Sequence, residues 1–229
     1  MFDSEDWNDW PDDGGPYDDG LIIDDEWDPD FPDYDDFGLL MPGDWDENHI
    51  MALVPQIYSF KGQHAWLSSF CQDYPILIGD VTFPTREHAY QYAKTYFPPD
   101  MSSADENTAQ YIGLVIQQIR LDILNAPTPG AAKRLGQTVP MDLERWNKAR
   151  VRIMQNLIRF QCQQYPELAQ KLLATDDIDL IEGNAWGDKF WGVVDCIISD
   201  GILVDGNGEN WLGKSWMVVR KELCGITIQ

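Results

Sequence analysis

The 229-residue sequence predicts an α+β fold: one mostly helical globular domain with a small β-sheet, preceded by a disordered acidic tail. Three observations carry this expectation. Charge is divided sharply along the chain, two short apolar runs flank a Gly-Asp turn, and several later stretches repeat apolar residues at helical spacing. Of the 39 Asp and Glu, 19 fall in residues 1–50, and no Lys or Arg precedes Lys61. The other 20 acids face all 16 bases, so the rest of the chain carries only about −4 of the total −23. The acidity belongs to the tail, and the remainder has the balance of an ordinary soluble domain.

Residues 1–54 make the first expected unit. Asp alternates there with Pro, Gly and aromatics without helical or strand period, and like-charge repulsion with chain breakers predicts disorder. Trp7, Trp10, Trp27, Phe31, Tyr34, Phe37 and Trp45 are unusual in a purely solubilising tail. They can form sticky segments that dock on a protein partner, or fold back over a cationic cleft of the chain's own domain.

Residues 55–229 make the second unit. Strands are expected at 76–78 and 81–83 around Gly79-Asp80. Thr85 can cap a helix that Pro98 and Pro99 stop. A long helix is expected over 105–124, with Ile112, Val115, Ile116, Ile119 and Ile123 on one side. A turn and short helix follow over 126–136, then a strongly helical 142–161 with Trp146, Ile153, Met154, Leu157 and Phe160 as its buried stripe. Pro166 opens a short helix to about 174. From 180 onward Gly, Asn, Asp and Trp are packed between short apolar runs, as in a ligand-binding wall, and a last helix is expected over 211–223.

Function classes narrow by exclusion. Cys71, Cys162, Cys196 and Cys224 have no CxxC spacing, and His49, His64 and His88 are dispersed, so no metal site, disulfide framework or cofactor is expected. No apolar run reaches the ~18 residues of a membrane span, and the acidic start has the wrong sign for a leader. A cytoplasmic or nuclear protein is the resulting expectation. A protease, a kinase and a Rossmann enzyme are disfavoured, since no nucleophile elbow, P-loop or GxGxxG occurs.

Two stretches carry chemistry. In "FPTREHAYQYAKTYF" (83–97), Glu87, Gln91 and Lys94 stack on one helical face at steps of four and three. The wheel puts Tyr90, Thr95 and His88 on that wet half, against Tyr92, Tyr96, Ala89, Ala93 and Phe97. Spacing alone describes an ordinary amphipathic helix. "WGDKFWG" (186–192) sets Trp186 and Trp191 around Asp188 between glycines, where indoles can stack a planar base or cap the core. "NGENWLGKSWMVVR" (207–220) adds a Gly-rich turn ahead of a helix bearing Lys214.

These motifs, in this order, resemble the NADAR (NAD and ADP-ribose-related, YbiA-like) domain family. The marks are "WLSSF" (66–70), "FPTREHAYQYAK" (83–94), "APTPGAAKRLGQ" (126–137), the Trp146…Arg150…Met154 helix, "LLATDDIDLIEGNAWGDKFWGV" (172–193) and "GNGENWLGKSWMVVR" (206–220). They span about residues 58–223. The resemblance implies a YbiA-like fold and hydrolysis of an N-glycosidic bond to ribose. The substrate would be a riboflavin-pathway aminopyrimidine riboside phosphate or an ADP-ribosylated guanine. It implies Glu87, Lys94 and Asp188 as catalytic residues. Ser69, Phe70, His88, Gln91, Trp186, Trp191, Gly192, Asn210 and Lys214 are the substrate-binding candidates. Arg86, Lys133, Arg134, Lys189 and Lys214 are candidates for phosphate contacts. Two departures stand out: Ser69 occupies a usual Asn position, and Trp216 replaces an aliphatic residue.

Cleaving a ribosyl C–N bond needs negative charge near C1′ and a proton for the leaving base. Glu87 or Asp188 can supply both with water as nucleophile, or Lys94 can attack C1′ and form a Schiff base. A non-catalytic ADP-ribose- or NAD-binding module with a partner-binding tail is the rival class. A domain near −4 beside an acidic tail disfavours tracking along a DNA duplex. A small molecule or a single modified base fits better.

Overall fold

The computed structural model describes residues 56–226; the expected 1–54 tail lies outside them. Among the described residues are six helices and three two-stranded β-pairs, the first five helices following one another with no strand between them. The small sheet is thus distributed as separate two-stranded pairs.

β1 (Gln56–Ile57) pairs in parallel with the distant β4 (Asp179–Leu180). A 3-10 turn over Gly62–Leu67 leads to the antiparallel pair β2 (Ile76–Ile78) and β3 (Val81–Phe83), turning at Gly79 and Asp80 as expected. Helix α1 (Arg86–Ala93) starts at Thr85, whose hydroxyl accepts the His88 N–H. It runs into a 3-10 turn, Lys94–Tyr96, ahead of the prolines.

α2 (Glu106–Leu124), α3 (Pro129–Gln137), α4 (Leu143–Gln164) and α5 (Pro166–Leu173) follow near the positions that periodicity assigns. Each of α2, α3 and α4 opens on a side-chain cap, from Asp105, Thr128 and Asp142; such a cap typically contributes about 1 kcal/mol. The 180–223 stretch is more ordered than its composition suggests. It contains the hairpin β5 (Val194–Ser199) and β6 (Ile202–Asn207) before α6 (Trp211–Ile226). The turn between them is Asp200-Gly201, both at positive φ (51° and 76°), the combination two-residue hairpins favour.

α1 sits at the centre of the molecule. The wheel assigns it a wet half, yet seven of its eight residues are buried, because α2, α3 and α4 all pack around it. Tyr90, placed on the wet half by spacing, is only 5 % exposed and lies edge-on to Trp191 and tilted against Trp146. Arg86 is buried, and its hydrogen bonds go to uncharged groups. Its Nε donates to Gln161, its Nη1 to the Leu67 carbonyl, and its guanidinium stacks 4.5 Å from the Trp216 ring. Trp216 Nε1 donates to the same Leu67 carbonyl at 2.8 Å. The indole therefore supplies a hydrogen bond and a cation–π face that no aliphatic residue offers.

Candidate active site

A cavity of about 500 Å³ opens beside α1, a volume suited to a small ligand. Glu87, Tyr90, Gln91 and Lys94 come from α1 and the turn after it. Gly130, Lys133 and Arg134 come from α3, and Trp146, Arg150 and Met154 from α4. Glu182, Asn184, Trp186, Asp188 and Phe190 to Gly192 form the facing wall, with Lys61, Ser69 and Phe70 at another edge.

Lys94 is the most perturbed cation there. Burial lowers its pKa to about 8 from 10.5; the Glu87 charge acts against that, while Lys133 and Arg150 reinforce it. Its ammonium donates to the Gly136 carbonyl at 3.3 Å and lies 5.8 Å from the Trp146 ring centroid. At pH 7 a pKa near 8 leaves about a tenth of the lysine as free amine, roughly 300 times more than an exposed lysine.

Glu87, 7 % exposed, shares this wall. Burial raises its pKa, and the Gln91 amide, donating at 2.6 Å, opposes the rise, as do the Lys133 and Lys94 charges. The Gln91 Oε1 atom has no hydrogen-bond partner. Gln91 lies so close to α3 that a Cβ on Gly136 would stand 1.9 Å from that oxygen. Glycine at 136 therefore lets the two helices close around the amide.

The facing wall is shaped by its own backbone. Asp188 Oδ1 accepts the N–H groups of Phe190 (3.1 Å) and Trp191 (2.8 Å), closing a tight turn at the rim. Asn184 binds the same turn from within, exchanging hydrogen bonds with the Asp188 backbone. Gly192 permits close approach, since a Cβ would meet the Glu182 carbonyl at 2.3 Å. Trp191 packs on Tyr90 and Phe190 rather than standing free. Trp186 is 37 % exposed, with the Lys61 ammonium 5.7 Å from its ring centroid, which makes it the outer stacking surface.

Of the residues singled out from the sequence, Glu87, Lys94, Asp188, Ser69, Phe70, Gln91, Trp186, Trp191 and Gly192 line this one cavity. His88, Asn210 and Lys214 stand outside the lining. His88 is buried on the opposite side of α1, its ring paired with Thr85 Oγ1 at 2.7 Å and the Ala126 carbonyl at 3.1 Å. Burial lowers its pKa, as suits a neutral core imidazole. Asn210, at φ 57°, is a clamp: Oδ1 accepts the Glu182 N–H and Nδ2 donates to the Leu180 carbonyl. Lys214 is exposed on α6 over the Trp211 ring. Among the phosphate candidates, Lys133 and Arg134 line the cavity, whereas Arg86 and Lys189 do not.

Sequence reasoning passed over Arg150 and Glu182. Arg150 lies in the Trp146…Met154 helix, where the sequence marks it only as part of the family motif; its guanidinium stacks 3.4 Å from the Phe190 centroid. Glu182, in "LIEGN", had no helical partner to flag it. Its only local signal is an acid set in an apolar strand end just before glycine.

An ordered motif set on an α+β scaffold, with a partly buried lysine and carboxylates in one cavity, has counterparts. The chain belongs to the NADAR domain family, whose profile matches residues 57–224. One relative is N-glycosidase YbiA of Shigella boydii serotype 4 (strain Sb227), 27% identical over 178 residues, 77% of this chain and 92% of that protein. The Escherichia coli (strain K12) protein of the same name matches equally, at 27% over 178 residues. Riboflavin biosynthesis protein VVA0006 of Vibrio vulnificus (strain YJ016) is 30% identical over 181 residues, which cover 77% of this chain but 40% of that protein. The NMR structure of the E. coli protein YbiA superposes with a TM-score of 0.54 at 27% identity, covering 77% of this chain and 88% of that one. The fold is therefore YbiA-like. No helix among the described residues is long and apolar enough to cross a membrane.

Proposed function

We propose that this chain is an N-glycosidase that hydrolyses a ribosyl C–N bond through a lysine Schiff base. Its substrate is a small aminopyrimidine riboside phosphate or a ribose-linked modified guanine. The observation that carries the reading is Lys94: a partly buried amine near pKa 8, sharing a cavity with Glu87 and Asp188. A pure binding module has little use for an ammonium kept close to neutrality. The names of the relatives, N-glycosidase and riboflavin biosynthesis protein, support the same class.

In this mechanism the free Lys94 amine adds to C1′ as the C–N bond to the base breaks, and the ribose opens to an imine that water hydrolyses. Glu87 accepts the proton that Lys94 sheds and returns it when the lysine leaves. Asp188 places negative charge near the cationic C1′ while holding the rim turn. Lys133 and Arg134 supply positive charge for a phosphate, and Trp186 stacks the base.

The test offers both substrates, with release of the base read by mass spectrometry, and adds borohydride during turnover. A reduced ribosyl adduct on Lys94, lost together with turnover in Lys94→Arg, is the expected result. Turnover with no adduct would leave direct attack by water, and release of base from neither substrate would overturn the glycosidase reading.

A further inference from the structure

We infer that Glu182 is the general acid of this site, delivering the proton that the departing base needs. The proposal rests on the glycosidase reading and adds a residue to it. Glu182 lines the cavity on the wall facing Lys94, and the residue is 8 % exposed. Its Oε2 atom is buried without a hydrogen-bond partner. A buried carboxyl oxygen with no partner is costly when ionised, but it is well placed as an O–H aimed at a ligand.

The backbone around it is immobilised. Its N–H is held by Asn210 Oδ1 at 3.0 Å and its carbonyl accepts the Val193 N–H at 2.8 Å. The preceding residue, Ile181, donates to the Ile57 carbonyl at 2.7 Å. These bonds fix the backbone from which the carboxyl enters the cavity, a position that proton transfer requires.

Charge around Glu182 favours the same state. Burial and the Asp188 charge raise its pKa to about 8 from 4.5, while Lys61 and Arg86 pull it down without prevailing. It is therefore protonated at neutral pH. Lys94, near 8 and drawn on by Glu87, Lys133 and Arg150, delivers the nucleophile over the same range. An acid that must be protonated beside an amine that must not be gives the complementary pair such bond cleavage uses.

The proton balance closes. As the C1′–N bond breaks, its electron pair goes to the base nitrogen, and the Glu182 Oε2 proton neutralises the base. The carboxylate left behind recovers its proton from the water that hydrolyses the imine, while the lysine's own proton cycles through Glu87.

The experiment compares full-length wild type and Glu182→Gln on two ribosides. One is an aminopyrimidine riboside 5-phosphate, whose base must be protonated. The other is 4-nitrophenyl riboside 5-phosphate, whose leaving group departs as the anion. Glu182→Gln is expected to lower kcat on the first about 10²–10⁴-fold, and on the second less than tenfold. The alkaline fall in the wild-type rate on the first substrate should also disappear. Because the comparison is a ratio between substrates, partial unfolding of the variant does not mimic it, and Glu182→Asp should recover part of the lost rate. Equal losses on both substrates would overturn the assignment and make Glu182 structural. A wild type that cleaves neither would instead overturn the glycosidase reading itself.

Discussion

At the scale of single residues, what matters is which state burial favours. Asp188 holds the rim turn through one carboxylate oxygen that accepts two backbone N–H groups, so its charge and its capping role can be separated. Asp188→Asn keeps an acceptor at the same place, and thermal melts should show a loss within about 0.5 kcal/mol. Asp188→Ala removes the acceptor and should cost about 1–2 kcal/mol. A large drop in kcat for the Asn variant would then report the lost charge alone. His88 gives the converse case, being paired with Thr85 and Ala126 away from the cavity. His88→Ala should destabilise by about 2 kcal/mol, while kcat per folded molecule stays within threefold. A spacing of seven puts Glu87 and Lys94 on one helical face, but only the resemblance of their motif to the family singles them out as catalytic candidates. Glu182 is not singled out, because its environment comes from Asn210, Gly192 and Asp188, none of them at a helical spacing from it.

At the scale of elements, the helices were readable and the ribbons only partly so. The Thr85 cap, apolar periodicity and Pro or Gly punctuation mark the helices within a few residues; the caps at Asp105, Thr128 and Asp142 emerge only in the structure. The β2–β3 hairpin announces itself by two short apolar runs around Gly-Asp. The β5–β6 hairpin carried an equally good Asp-Gly signal, but the Trp- and Gly-rich sequence around it read as loop. The pairing of β1 with β4 joins residues more than 120 positions apart, and two-residue strands leave no period to detect. The amphipathic reading of α1 failed for a related reason: a helix packed on several sides uses polar residues to bind its neighbours. The α1–α3 contact is the most sensitive of these packings. Gly136→Ala would drive a methyl into the Gln91 amide, so kcat should fall at least tenfold, with a smaller loss of melting temperature.

At the scale of the whole molecule, the buried ionisable groups imprint a pH signature on stability. Folded Glu182 keeps its proton up to about pH 8, whereas an exposed carboxyl releases it near 4.5. The folded state therefore binds more protons between those values, and stability falls as pH rises across them. Lys94 acts in the opposite sense. Folded, it loses its proton near 8, but unfolded near 10.5, so stability rises between those values. Chemical denaturation across pH should therefore show a minimum near pH 8, each limb on the order of a few kcal/mol deep. Glu182→Gln should flatten the acidic limb and Lys94→Met the alkaline one; parallel curves for wild type and both variants would contradict this account. The small β1·β4 pair has a consequence of its own for where the chain can be trimmed. Ile57 is the tether for the residue just before Glu182, and the Gln56 side chain accepts the Leu203 N–H at 2.8 Å. A ladder of N-terminal deletions should thus show a cliff between 56 and 58, with activity vanishing before helix content declines. The lower limit of a working fragment is then drawn by the anchorage of one acid, rather than by the edge of the apolar interior.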